Sequence, residues 1–532
     1  MSSSGSAVAA RPGAFSPFAF SAFALLWSAT LVSNTGTWMH EVGAGWLMTT
    51  LNPSPAVVTL VQAATTMPVF LFALFAGTLA DRLDKRRMLL VINVLLTLVI
   101  ATLALLVWTA RVTPVLLILF TFAIGTGAAF MAPAWQAIVP ELVPRDRLKP
   151  AIALNSMGIN ISRAIGPALA GILIASVGLA APFAVNAASH TVIIVALLLW
   201  RPDPQPGTRH HGSMLSDMAT GVRHVRYNAP MRATIIRAAG FFLFASAYWS
   251  LLPLIARGAD GGGSELYGVL MALIGGGAVV GALLLPTVQG RLSLDQTVKL
   301  GTVGTAAALG VMALSGTAAS LMIAAFLGGV SWIAVLTSFN VSAQTALPNW
   351  VRARGLAVFL TVFFGSMALG ALAWGQLAAA ADLHTALVVA AIGMIAAMWL
   401  TRRFEIGGGE DLDLSAADIW PMAPALSGTQ TPTQRALVTV TYKIRRQDEA
   451  AFKSAIQAFS AERYRDGATR WDLCQSVEES DTWVETFHLP SWAEHLEQHK
   501  RVTKADAHVQ ESLRAFDTRA SGPVVRHFIR LI

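Results

Sequence analysis

Runs of about 20 apolar residues, the length a helix needs to cross a hydrocarbon core about 30 Å thick, recur from Phe20 to Leu400. No other feature restricts the fold so tightly, because in lipid every backbone polar group must be satisfied inside a helix or a closed barrel. Twelve windows are expected, at approximately 19–47, 54–80, 87–110, 113–136, 150–177, 180–200, 233–256, 266–288, 297–316, 319–342, 355–379 and 384–402. Only 13% of the residues are charged, about half the share of a soluble domain, which agrees with an all-α membrane protein.

Lys and Arg mark the cytoplasmic side, because they resist translocation. Arg82, Lys85, Arg86 and Arg87, then Arg145, Arg147 and Lys149, Arg201, Arg209, Arg223 and Arg226, Arg291, Arg352 and Arg354, and Arg402 and Arg403 all fall in alternate loops. The opposite loops hold only Arg111 and Arg257. Both termini are therefore expected in the cytoplasm, and the net charge of +8 follows from topology without nucleic acid. Residues 1–18 contain no short apolar core with a cleavage site, so no removable signal peptide is expected. The single cysteine, Cys474, excludes an intramolecular disulfide framework and a cysteine-based metal cluster.

The expected organisation is a tail over 1–18, a six-helix bundle over 19–200, an interdomain loop over 201–232, a second six-helix bundle over 233–403, a linker over 404–433 and a soluble domain over 434–532. The halves echo each other: "AIVPELVPRDRL" (137–148) precedes "GPALAG" (166–171), and "TALPNWVRARGL" (345–356) precedes "GALAWG" (370–375). Parallel repeats of this kind place a binding site near the midplane between halves, a transporter design. In the tail, "ALVTVTYKI", "TRWDLCQSV", "DTWVETFHL" and "VVRHFIRLI" alternate as strands around helical stretches, and the order β-α-β-β-α-β predicts a ferredoxin-like α+β domain.

Asp81 sits one turn after Gly77 at the end of the second window, the wrong end of its own helix dipole, so it needs a helix N-terminus or an arginine as partner. Gly77, Asp81, Arg82, Arg86 and Arg87 match the G-x-x-x-D-R-x-G-x-R-R loop of the major facilitator superfamily, which the chain resembles over about residues 17–403; Asp84 stands where the pattern has Gly. The resemblance implies a conformational latch, with Asp81 placed near Arg352 and Arg354. Gly158, Gly166, Pro167 and Gly171 resemble the family's antiporter-type box, with Ala170 replacing one Gly. Helix packing alone is the competing account of these residues. "LVSNTGTWMHEVGAGWLM" and "SRAIGP" resemble the enterobactin-exporter branch, also called transmembrane secretion effectors, and the tail resembles an antibiotic-biosynthesis-monooxygenase domain.

Ionisable residues inside a span are costly and are functional candidates by default. Glu41, beside His40, and Arg163 are the clear cases and are the proton-coupling candidates; water at the outer rim for Glu41 and a structural clamp for Arg163 are the alternatives. Asn34, Trp38, Asn155, Asn160, Asn186, His190, Asn340 and Gln344 could line a central cavity, although interhelical hydrogen bonds would serve equally. Trp38, Trp46, Trp249 and Trp332 suit either interfacial anchoring or an aromatic substrate. In the tail, Trp471, Trp483, Trp492, His488 and His499 could form an oxygenase pocket, with His499 the haem-ligand candidate by resemblance, or could fill a core.

There is no Gly-x-x-x-x-Gly-Lys-Ser/Thr loop, so the expectation is a secondary exporter of a small molecule, a siderophore, drug or metabolite, driven by the proton gradient. No catalytic residue, cofactor or metal ligand is assigned. The partners expected are the substrate and the lipid bilayer, with a homodimer through the tail implied by the resemblance. The alternative is a membrane-anchored oxygenase whose tail modifies the cargo.

Overall fold

The computed structural model describes residues 15–80, 83–201, 214–407, 409, 412–415, 417, 424, 426 and 431–531. Most of the 1–18 tail, much of the 404–433 linker, and Asp81 and Arg82 lie outside the described residues.

The apolar windows fold as helices α1 (Ser21–Leu51), α2 (Pro55–Ala80), α3 (Lys85–Trp108), α4 (Pro114–Ile138), α5 (Leu148–Ser176) and α6 (Ala181–Leu199). After α7 (Met214–Tyr227), inside the expected interdomain loop, come α8 (Ala229–Ser250), α9 (Leu252–Gly258), α10 (Ser264–Gln289), α11 (Leu294–Leu314), α12 (Ala318–Thr345), α13 (Arg352–Ala380) and α14 (Leu383–Leu400). Eleven segments among the described residues are long and apolar enough to cross a membrane, with α8 and α9 counted as one. The twelfth expected window is α1, which is long enough at 31 residues but falls short in apolar content. Ser28, Thr30, Ser33, Asn34, Thr35, Thr37, His40 and Glu41 dilute its hydrocarbon.

Local chemistry sets several boundaries. The Asp84 carboxylate accepts from the Arg87 backbone N–H at 2.7 Å and caps α3, which gives a physical use to the residue that departs from the latch pattern. Pro253 lies in the first turn of α9, where its missing N–H costs nothing, just after the break that ends α8. Ser293 and Gln296 close a capping box on α11.

The tail folds as β1 (Ala436–Lys443), α15 (Glu449–Arg465), β2 (Arg470–Gln475), β3 (Thr482–Leu489), α16 (Trp492–Arg501), α17 (Lys504–Arg514) and β4 (Val524–Ile529). The strands form an antiparallel sheet in the order β2-β3-β1-β4. Alternation puts Val438, Val440 and Tyr442 of β1 and Trp483 and Phe487 of β3 on one face, in a single core with Phe452, Ile456 and Phe459 of α15.

By contact density the chain divides into two compact units. One comprises Met1–His211, Arg237–Ser338 and Leu360–Arg403, and the other Gly212–Ile236, Phe339–Phe359 and Phe404–Ile532. The second therefore holds the folded tail together with α7, the start of α8, the end of α12 and the start of α13.

Candidate functional site

Asn34, Trp38, Glu41 and Gly45 recur at intervals of four, three and four, which places them on one face of α1. Arg163 of α5 stacks over the Trp38 ring, its guanidinium carbon 5.2 Å from the ring centroid. The buried Nε of Arg163 has no hydrogen-bond partner among the described residues. Glu41 lies within electrostatic reach of both Arg163 and Tyr267 of α10. Tyr267, which the sequence did not single out, stacks on Trp46 at 6.2 Å, and its hydroxyl would stand 2.8 Å from a Cβ at Gly45. Thus α1, α5 and α10 bring one acid, one arginine and one phenol together.

His40 turns away from this face. Its ring packs edge-on against Phe183 of α6, 4.9 Å between centroids, and neither nitrogen has a described hydrogen-bond partner. The expected cavity residues are also dispersed. His190 binds Asn93 at 2.9 Å, Asn160 donates to the Ser156 carbonyl at 2.9 Å, Asn155 accepts from the Trp135 indole at 3.3 Å, and Asn186 is buried against Gly36 of α1. Trp249 and Trp332 meet edge to face at 5.2 Å in an aromatic cluster with Phe242. Asn340 and the exposed Gln344 belong to the other compact unit.

The glycine box holds α5 between two neighbours. A Cβ at Gly166 would come 2.6 Å from Trp38 Cβ, and one at Gly158 would come 3.3 Å from the Trp27 indole nitrogen, both on α1. On the other side, a Cβ at Gly171 would stand 3.1 Å from the Ser264 carbonyl oxygen. Reciprocally, a Cβ at Gly268 would meet the Pro167 carbonyl oxygen at 2.8 Å and Gly171 Cα at 2.9 Å. Gly275 abuts the Arg163 carbonyl one step further along. Small residues let α5 of the first half and α10 of the second touch backbone to backbone. Arg257 donates to the Thr49 carbonyl near the same end, and Gly365 and Gly375 of α13 abut Phe70 and Thr59 of α2.

Of the expected latch residues, Gly77 has open space where a Cβ would stand. Arg86 donates to the carbonyls of Leu197 and Leu198 at 2.7 and 3.0 Å, closing the C-terminus of α6. Beside it, Lys85 pairs with Glu141 at 2.6 Å. Arg352 binds the Leu347 carbonyl, and Arg354 packs against Gly221 of α7. Sequence reading also passed over Arg237, 3% exposed in α8 and paired with Asp295 at 3.2 Å, while Asp295 holds Lys299 at 2.6 Å.

In the second unit, α7 joins the folded tail to the ends of α12 and α13. Glu494 of α16 accepts from Arg223 of α7 at 3.2 Å and from Arg501 at 2.6 Å. Arg501 in turn lies over the Trp350 ring, 4.8 Å to the centroid. His224 is buried edge-on against Trp350, and Tyr227 stacks on Tyr464 at 5.2 Å. Burial, reinforced by Arg465, Arg501 and Arg223, pushes the His224 imidazole down to about 3. Asn228 donates to the Ala346 carbonyl at 2.9 Å.

Strand alternation sets His488 apart from the other residues considered for an oxygenase pocket. Trp483 and Trp492 fill the core, whereas His488 lies on the other face of β3. Trp471 donates to Glu485 at 3.0 Å. Glu485, wholly buried, also accepts two bonds from Arg463, at 2.9 and 3.1 Å, and one from Tyr442 at 3.3 Å. His499 instead meets His495 of its own helix and His527 of β4.

The chain is 27% identical to the staphyloferrin A transporter of Staphylococcus aureus over 256 residues, 48% of this chain and 64% of that one, so it spans just under two thirds of that relative. It is 25% identical to the multidrug efflux pump Tap of Mycolicibacterium fortuitum over 399 residues, 72% of this chain and 96% of the pump. With the enterobactin exporter EntS of Salmonella choleraesuis, identity is 26% over 314 residues, 58% of this chain and 74% of the exporter. Among solved structures, the nucleoside transporter NupG superposes with a TM-score of 0.61 at 13% identity, covering 72% of this chain and 99% of its own. A bacterial homologue of the human lysosomal transporter Spinster gives 0.58 at 14%, covering 73% and 98%. At such identities the likeness is one of fold. The sequence profile described as transmembrane secretion effector matches residues 12–532, tail included, and the chain belongs to that family.

Proposed function

We propose that the chain is a secondary exporter of a small organic molecule, driven by the proton gradient and working by alternating access of two six-helix bundles. In this reading α1 is the twelfth span, the protein is a multi-pass component of the cell (inner) membrane with both termini cytoplasmic, and residues 434–532 are a ferredoxin-like domain. The single observation that carries it is Glu41 beside Arg163 on α1 and α5, next to the glycine contact of α5 with α10.

An isolated charge at mid-membrane costs about 3 kcal/mol on insertion scales, so two of them need a use. Two opposite charges within electrostatic reach, beyond direct ion-pair contact, attract by about 2–3 kcal/mol at an effective dielectric of about 20. Moving one charge through 100 mV supplies about 2.3 kcal/mol, the same size. Protonating Glu41 would release Arg163 at a cost the gradient can meet, and parting of α5 from α10 would then expose the site to the other side. The names of the relatives span siderophores and drugs, and cargo of that class suits an arginine and a tryptophan stacked side by side.

Replacing Glu41 with Gln removes the titration and keeps the shape. Efflux into everted vesicles should lose its dependence on the proton gradient, falling at least about tenfold, equivalent to about 1.4 kcal/mol, while cargo binding remains. Undiminished gradient-driven efflux would remove Glu41 from the mechanism. For the folded tail we infer a docked regulatory module, supported by the contacts of α16 with α7 and Trp350.

A further inference from the structure

We propose that His495, His499 and His527 bind a single divalent transition-metal ion of the zinc class. His495 and His499 are four residues apart on α16 and so share one face of the helix. His527 comes from β4, where it is paired in register with Val438, a buried residue of β1. Paired residues point to the same side of a sheet, so His527 faces the helices. The ligating atoms of all three rings lie within 4.8 Å of one another.

The two helix imidazoles stand at the spacing of a direct N–H···N contact, which is also the spacing of two nitrogens on one metal ion. Zinc–nitrogen bonds of about 2.05 Å in tetrahedral geometry put neighbouring nitrogens about 3.3 Å apart. The Nε2 atoms of His495 and His499 stand 3.2 Å apart. His527 is half-buried on an edge strand, so its ring has room to close the remaining distance. Three imidazoles without a carboxylate or thiolate suit zinc and its first-row neighbours, and they leave a fourth position for water. A haem iron, by contrast, takes one or two axial imidazoles on opposite faces of its ring and has no use for three converging on a point.

The surroundings are compatible. Buried Gln498 places Oε1 3.4 Å from His495 Nδ1, where it can accept that N–H and leave Nε2 as the donor to a metal. Among the described residues, the arginine that acts electrostatically on His495 is Arg463, which is paired with Glu485. An ion here ties α16 to the edge strand. Glu494 and Arg501, on that same helix, hold Arg223 and lie over Trp350.

The test uses the full chain in detergent, with its purification tag removed and stripped by chelator. It is loaded with zinc chloride, desalted and assayed by elemental mass spectrometry, then titrated with cobalt(II). The parent should retain one zinc per chain and show the intense visible bands of four-coordinate cobalt. His527→Ala and His499→Ala should bind zinc at least about a hundredfold more weakly, and Gln498→Leu about tenfold more weakly, as expected for a supporting partner. Circular dichroism establishes that each variant is folded, and His527 on its edge strand is the variant most tolerant of replacement. No zinc above background in the parent, or equal retention in the parent, His499→Ala and His527→Ala, overturns the proposal.

Discussion

Two buried arginine–glutamate neighbours in this chain are built in opposite ways. In the folded tail, Glu485 is met by both nitrogens of the Arg463 fork, by Tyr442 and by Trp471, and Arg463 lies between the rings of Phe459 and Phe487. Every charge there is answered, so the pair reads as a strut. In the membrane region, Arg163 has an aromatic face beneath it and an unbonded Nε, and Glu41 is held only by longer-range electrostatics among the described contacts. A carboxylate with few fixed partners is one that can change its proton and its neighbour. The number of partners, and not burial itself, distinguishes Glu41 from Glu485, and the proposed proton coupling rests on that difference.

Breaking the strut should have the largest effect. Glu485→Gln leaves Arg463 buried and uncompensated, which costs about 3–5 kcal/mol. The melting midpoint of the tail should collapse, and the double change Arg463→Met with Glu485→Leu should recover much of it. Glu41→Gln should leave thermal stability within about 1 kcal/mol of the parent, because no fixed partner is lost. A large loss of stability there would show that the two pairs are alike after all.

Next in size is the backbone contact between α5 and α10. Gly268→Ala drives a Cβ into the Pro167 carbonyl, which cannot rotate away, and should cost about 1–3 kcal/mol. Cysteine accessibility from the two sides should shift toward the state in which α5 and α10 are parted. Gly77→Ala, where a Cβ would stand in open space, is the steric control and should leave thermal stability within about 0.5 kcal/mol of the parent.

The docking contacts should respond more gently. His224 in the folded protein, at about 3, lies below the usual histidine value near 6.5. Its contribution is therefore complete above about pH 6.5 and is lost as pH falls toward 3, by about 1.4 kcal/mol per unit. His224→Phe keeps the ring against Trp350 and should flatten the fall in melting temperature between about pH 7.5 and 5.5. Arg223→Ala, at a half-buried pair, should cost about 1 kcal/mol or less and appear as faster proteolysis of the linker.

The repeated loops show why part of the site stayed hidden in the sequence. "AIVPELVPRDRL" and "TALPNWVRARGL" look alike as text. In the first half Glu141 ties down Lys85 beside it, whereas in the second Trp350 holds His224 and Arg501. Glu41 and Arg163 were legible because a charge in a hydrocarbon run stands out against its local background. Tyr267 was not, since a tyrosine near a span end has several ordinary uses. Of the three histidines, only His499 drew notice, because the third ligand comes from a strand 28 residues further on.

The sequence alone settled what depends on neighbours along the chain. Hydrocarbon runs long enough for a bilayer, alternation in the four strands and the small residues of α5 are all local, and each acts through a fixed period of helix or strand. Tertiary structure decided everything that joins distant segments: which glycines of α10 meet the box, which rings surround His495, and that Glu485 is fully answered while Glu41 is not. Such pairings depend on how helices and strands are brought side by side, and no spacing along a single element specifies that.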